Sequence, residues 1–250
     1  MRYIVLIIIS LLVVNCNTTQ SEDLSAQAII DTSIEAVGGT KIESSIISFK
    51  FRNLEYAAKR SKGIFAFSRQ KIDSSSGTVQ LIKDVLSNSG FERFLNDSIV
   101  EVPDTMATKY SASVNSVHYF SVLPYGLNDA AVIKEKLADT RINDTMYYTI
   151  RVTFKEEGGG EDFEDEFLYW IDKETFKLQY LAYSYNEDDG KGMRFREAYN
   201  ERLIEGVRFV DYNNYKPKSE AIKLPELPTL FESGQLDLVS KIELNEINVN

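Results

Sequence analysis

The 250-residue sequence contains one cysteine, Cys16, one histidine, His118, and one tryptophan, Trp170. A single cysteine excludes an intramolecular disulfide and any thiolate metal cluster. A single histidine would leave a zinc site to carboxylates, a donor set better suited to harder cations. Cations are also in short supply: 28 Lys and Arg stand against 38 Asp and Glu, a net charge of −10. Such a surface repels phosphate backbones, which argues against nucleic acid as a partner. There are only five prolines, and no Pro/Ser/Gly-rich linker divides the chain. One domain is therefore expected over 24–250, long enough to bury a sizeable core. No serine sits in a G-x-S-x-G elbow, and neither a Walker loop nor a dinucleotide fingerprint occurs, so no catalytic residue, metal or cofactor is assigned.

The N-terminus has a clear pattern. Arg2 precedes a nearly unbroken apolar run from Tyr3 to Val14, too short for a comfortable membrane span but suited to the core of a secretory signal. Cys16 stands directly at its end, followed by the polar stretch Asn17 to Asp23. The pattern resembles a bacterial lipoprotein signal, which implies 1–15 as a signal peptide, Cys16 as the lipidated residue and 16–23 as a tether, with Asn15 in place of the usual Gly, Ala or Ser before the cysteine. The alternative is an ordinary signal peptide with a chance cysteine. Acylation would add about 0.8 kcal/mol of membrane affinity per buried methylene, and more than one chain gives stable anchoring. The expected location is the cell envelope, outer membrane or periplasm-facing.

Two segments carry helical periods. Ala26, Ile29, Ile30, Ser33, Ile34 and Val37 mark a helix over 24–37, stopped at Gly38-Gly39. Thr40-Lys41-Ile42-Glu43 fits a capping box before another short helical turn. Met106, Tyr110, Val114, Val117 and Ser121 mark the second helix, 105–121, with Asp104 as a possible N-cap, and 127–134 reads as a short helical turn. Strands are expected over Ile46 to Leu54, Gly63 to Arg69, Thr78 to Leu86, Phe91 to Leu95 and Ile99 to Val102. Beyond residue 136 the chain reads as an antiparallel meander. Lys136 to Ile142 pairs with Met146 to Phe154, Phe163 to Tyr185 forms a hairpin around Asp172-Lys173-Glu174-Thr175, and Gly192 to Tyr199 pairs with Val207 to Tyr215. Leu236 to Val249 reads as one final edge strand. The fold class expected is α+β and mostly β: a single curved antiparallel sheet with helices on its concave face.

Several blocks carry a family resemblance: IEAVGGTKIESSIISFKFR, HYFSVLPYGLND, GGGEDFEDEF, YWIDKETFKLQYLAYSY, GMRFREAYN and GVRFVDYNNY. Together they resemble a family of uncharacterised bacterial lipoproteins, over nearly all of the mature chain. The resemblance implies a fold like the lipoprotein-localisation factors LolA and LolB, a half-barrel wrapped around helices with an apolar cavity. It brings no catalytic residue with it.

Within that reading the cavity lining is assigned to Phe49, Phe51, Phe65, Phe67, Tyr148, Ile150, Val152 and Phe154, with Arg194, Arg196 and His118 as polar anchors. Alternation separates two faces without saying which holds ligand. Arg194 and Arg196 could clamp a carboxylate or phosphate, or could pair with neighbouring acids. His118 could be a base or anchor, or a histidine packed between helix and sheet. The acidic loops around Glu156 to Glu166 and Asn186 to Gly190 could hold calcium, but their spacing matches no EF-hand and an acidic hairpin tip is usually just solvated. The function expected is a non-catalytic envelope lipoprotein that binds or carries a lipid or other apolar or amphipathic ligand. An envelope hydrolase or lyase using His118 with nearby carboxylates, and a structural surface lipoprotein, are the alternatives.

Overall fold

The computed structural model describes residues 24–75, 77–159, 163–187, 190–219 and 222–250. The leader, Cys16 and the tether lie outside the described residues, as do the centres of both acidic loops. Among the described residues there are four α-helices: α1 (Ala26–Ala36), α2 (Gly39–Glu43), α3 (Asp104–Ser121) and α4 (Leu227–Glu232). Short 3-10 turns cover Tyr125–Asn128 and Leu224–Glu226. In the first half the strands are β1 (Ile46–Phe51), β2 (Leu54–Ser61), β3 (Ile64–Asp73), β4 (Gln80–Ser87), β5 (Gly90–Leu95) and β6 (Ser98–Val100). The second half carries β7 (Val132–Lys136), β8 (Thr140–Ile142), β9 (Thr145–Phe154), β10 (Glu166–Asp172) and β11 (Leu178–Glu187). It ends with β12 (Gly190–Ile204), β13 (Val207–Pro217), β14 (Leu236–Ile242) and β15 (Asn245–Val249). No helix among the described residues is long and apolar enough to cross a membrane.

The mostly-β class holds, but the single sheet does not. There are two antiparallel sheets: a seven-stranded one in the order β15-β1-β2-β3-β4-β5-β6, and an eight-stranded one in the order β14-β13-β12-β11-β10-β9-β7 with β8 paired beside β9. The segment expected to be one edge strand, 236–249, is split. β14 pairs with β13 in the larger sheet, and β15 pairs with β1 in the smaller, so the chain changes sheets across Glu243-Leu244. Alternation in a sequence reports which face a side chain takes, not which strand lies alongside, so this crossing left no mark in the period. Likewise the helical turn expected over 127–134 is a 3-10 turn followed by β7.

The larger sheet is buried on both faces, which accounts for the dense apolar run in β10. Phe167, Tyr169 and Ile171 face inward against Ile29 and Ile30 of α1, joined there by Ile150, Val152 and Leu181. Leu168 and Trp170 face the other way with Tyr180 and Phe195, under Leu224, Leu227, Leu230 and Phe231. A strand covered on both sides has no polar face to alternate with. A further cluster bridges the sheets: Ile47, Phe49 and Tyr56 meet Val207 and Phe209, with Val37, Ile42 and Val122 between them. At the α1–α2 corner Gly38 has φ +86°, and a Cβ there would lie 2.2 Å from the Gly206 carbonyl oxygen. Only glycine fits both that backbone conformation and that approach.

Candidate ligand-binding site

The site is built around α3. Pro103 takes the N-cap position and Asp104 opens the first turn, where its charge complements the helix dipole. One side of α3 is locked to the smaller sheet. Asp84, 3% exposed, accepts from Arg69 Nε at 2.9 Å and from Arg93 Nε at 2.6 Å. Arg69 Nη1 donates to Ser113 Oγ at 2.6 Å, and the Arg93 guanidinium lies 3.8 Å from the Tyr110 ring centroid, so both arginines tie β3 and β5 to the helix.

One turn and more further on, His118 is fully buried against the rings of Phe49, Tyr56 and Phe67. Its Nε2 bonds the Ser68 carbonyl oxygen at 3.0 Å, which makes that nitrogen the donor, and Nδ1 has no partner. Burial lowers its pKa from 6.5 to about 4, so the ring is neutral at physiological pH. The carboxylate or hydroxyl contact that a catalytic base would need is not among its hydrogen bonds. His118 holds helix to sheet.

The other side of α3 does not close on the larger sheet. Ser116, Val117, Phe120 and Ser121 of α3 face Tyr183, Arg196, Val210, Tyr212 and Ile242 across a cavity of about 270 Å³, with Phe51 and Leu244 at its sides. Arg196 is the cation in this wall. Its Nη2 donates to Tyr183 Oη at 2.7 Å, and its guanidinium lies 4.3 Å from the Phe120 centroid and 5.0 Å from that of Tyr183. Its Nε is buried without a partner. No acid lies within ion-pair distance of it among the described residues, in a chain with 38 Asp and Glu. Register explains its placement: Leu181 pairs with Arg196 and Ala198 with Tyr212, so Arg194, Arg196 and Ala198 share the inward face. A neighbouring cavity of about 350 Å³ shares Ser116, Phe120 and Tyr183 with the first and is lined also by Phe154 and Phe167. Another, of about 410 Å³, lies beside Asn115 and Tyr119 and is lined by Arg60, Phe65 and Phe67.

The residues singled out from sequence are thus dispersed around α3. Phe51 and Arg196 line the first cavity, Phe154 the adjoining one, and Phe65 and Phe67 the third. Phe49 is buried beside His118. Ile150 and Val152 lie in the inward core of the larger sheet, with Tyr148 packed at its margin. Arg194 bonds the Met193 carbonyl oxygen and lies 5.2 Å from the Tyr185 ring centroid. Phe120, Val117, Val210, Tyr212 and Tyr183 were not singled out. The helical period that marked Val117 also marks Ser121 on the same side, and Val210 and Tyr212 alternate in GVRFVDYNNY, so part of the signal was present. No group of three or more His, Cys, Asp or Glu is placed to hold a metal among the described residues.

Fold and site together define a two-sheet β protein with helices between its sheets and cavities beside the central helix. The model of the Family of unknown function (DUF6503) matches residues 2–244, and the chain belongs to that family. Among solved structures it is similar to a LolA superfamily protein from Nitrosomonas europaea, with 12% identity and a TM-score of 0.49, over 91% of this chain and 94% of that one. A candidate outer membrane lipoprotein-sorting protein domain from Vibrio parahaemolyticus is similar at 8% identity and a TM-score of 0.46, over 90% and 93%. A DUF1329 family protein from Desulfovibrio piger is similar at 9% identity and a TM-score of 0.40, over 90% and 93%. No curated protein matches the chain.

Proposed function

We propose that the protein is a non-catalytic envelope lipoprotein, attached to a membrane through acylated Cys16, which binds or carries an amphiphile with an acyl chain. The observation that carries the reading is Arg196, a half-buried cation with no acid partner among the described residues, in the wall of a mostly apolar cavity. An uncompensated charge beside apolar surface is costly. An incoming carboxylate or phosphate removes that cost, while its chain takes the apolar space between α3 and the larger sheet. Supporting the membrane part of the reading are the apolar run Tyr3 to Val14, the cysteine at its end and the polar stretch after it.

The test is native mass spectrometry of the full-length protein purified from its own membrane, with lipid extraction and a fluorescent fatty-acid titration. Ser116→Trp, which places an indole in the cavity from a half-buried helix position, serves as the blocked variant. A bound acyl species lost in Ser116→Trp, with an unchanged circular dichroism spectrum, is the expected result. Absence of any co-purified amphiphile together with no probe binding would overturn the reading.

A further inference from the structure

The third cavity, on the opposite side of α3 from Arg196, contains a second cation without an acid partner among the described residues. Arg60 stands on β2, inward with Tyr56 and Ala58, and pairs across the sheet with Phe65. It is 8% exposed. Its guanidinium lies 4.6 Å from the Phe67 centroid and 5.8 Å from that of Tyr125. Nη1 is buried and makes no hydrogen bond, and no acid among the described residues lies within ion-pair distance. Burial lowers its pKa to about 10, opposed by Tyr125 and Asp129, so the group keeps its charge at neutral pH. Around it the cavity of about 410 Å³ is walled by Phe65, Phe67, Tyr119 and Val122, with the exposed acids Glu43 and Asp129 at its rim.

We propose that this cavity is a second, separate ligand site, which takes a monoanionic organic carboxylate with an apolar body. The carboxylate accepts from the Arg60 guanidinium, whose planar fork matches it, and the body lies against the aromatic walls. The chemistry of the rim selects the class. Glu43 and Asp129 repel a doubly charged anion more than a singly charged one. Asn115, Tyr119 and Tyr125 add neutral polar groups to the lining, while Phe65, Phe67, Val122 and the tyrosine rings supply apolar surface that an organic body covers and inorganic phosphate does not. The site shares no lining residue with the Arg196 cavity, so it stands whether or not that cavity carries an acyl chain.

The experiment is isothermal titration of the full-length protein in lipid nanodiscs, with empty nanodiscs subtracted. The probes are 3-phenylpropionate, its neutral amide and inorganic phosphate. In the native protein the carboxylate should bind at least tenfold more tightly than the amide, and phosphate should neither bind nor compete. Arg60→Met should abolish that preference, Arg196→Met should keep it, and Ala130→Trp, which fills the cavity from its exposed rim with Arg60 intact, should abolish binding of both organic probes. Ala130→Trp carries the test if Arg60→Met does not fold. Equal binding of carboxylate and amide would overturn the proposal, leaving Arg60 as a solvent-bridged partner of Asp129. So would competition by phosphate, or a preference that survives Arg60→Met. A preference lost only in Arg196→Met would also overturn it, while leaving the acyl-binding reading of the other cavity standing.

Discussion

The Asp211 carboxylate accepts the backbone N–H of Leu244 at 3.0 Å, at the point where the chain leaves one sheet for the other. Asp211 is 2% exposed. It also accepts from Arg202 at 2.6 and 3.0 Å and from Asn200 at 2.6 Å, next to the register shift in β12. Arg202 in turn reaches the Leu244 carbonyl oxygen at 3.3 Å. One buried acid thus fixes a strand irregularity and the crossing segment together. Removing one partner of a buried pair typically costs about 3–5 kcal/mol, because the other charge is left uncompensated. Asp211→Ala should lose stability in that range by urea unfolding. A loss below about 1 kcal/mol would show that the crossing does not depend on this contact.

Part of this architecture was legible in the sequence, and the reasons for the gaps are specific. Both long helices, β9 and the hairpins β10–β11 and β12–β13 were readable because their apolar residues recur at a helical or strand period, as in Ile29-Ile30 and Tyr148-Ile150-Val152, whereas the single strand expected over Lys136 to Ile142 is divided between β7 and β8. β2 was missed because its inward positions are Tyr56, Ala58 and Arg60, a set too small and too polar to register as an apolar face. The same polarity places an unpaired cation in a cavity. The two-sheet arrangement was not legible, since Glu243-Leu244 carries no turn residue and the crossing depends on Asp211, more than thirty positions upstream. For the site, the shared face of Arg194 and Arg196 followed from alternation alone, whereas the cavity opposite them depends on how far α3 stands from the larger sheet.

His118 gives the protein a defined acid sensitivity. Its folded pKa of about 4 lies below the ordinary 6.5. As pH falls, the unfolded chain therefore takes up the proton first, and stability present in full above pH 6.5 is lost as the pH approaches about 4. That interval corresponds to about 3 kcal/mol. Between pH 7 and 4.5 the native protein should lose about 2–3 kcal/mol more than His118→Phe, which cannot be protonated. Equal losses in urea titrations of the two proteins would mean that the ring is not buried neutral.

Attachment through Cys16 is tested by Cys16→Ala. An acyl anchor of more than one chain holds a protein stably on a bilayer, and the variant should move from the membrane fraction to the soluble one. Globomycin, which blocks lipoprotein signal cleavage, should give an unprocessed precursor of the native chain and leave Cys16→Ala unaffected. Retention of the variant on membranes after a high-salt wash would place the attachment elsewhere.

The sharpest test of the Arg196 cavity separates charge from volume. Arg196→Met keeps an unbranched apolar stem over Phe120 and Tyr183 and removes only the guanidinium. A hydrogen bond to a charged group contributes about 1.5–3 kcal/mol, so a fluorescent fatty acid should bind the variant roughly ten- to a hundredfold more weakly. The corresponding fatty alcohol offers no charge to lose and should change by less than about threefold. Stability should change by less than about 1 kcal/mol in urea unfolding, since relief of the desolvation cost of a half-buried cation offsets the lost Tyr183 hydrogen bond and ring contacts. Acid and alcohol falling together would mean that the substitution has collapsed the cavity. Acid affinity that survives intact would mean that the head group docks elsewhere and Arg196 serves only to close the wall beside Tyr183.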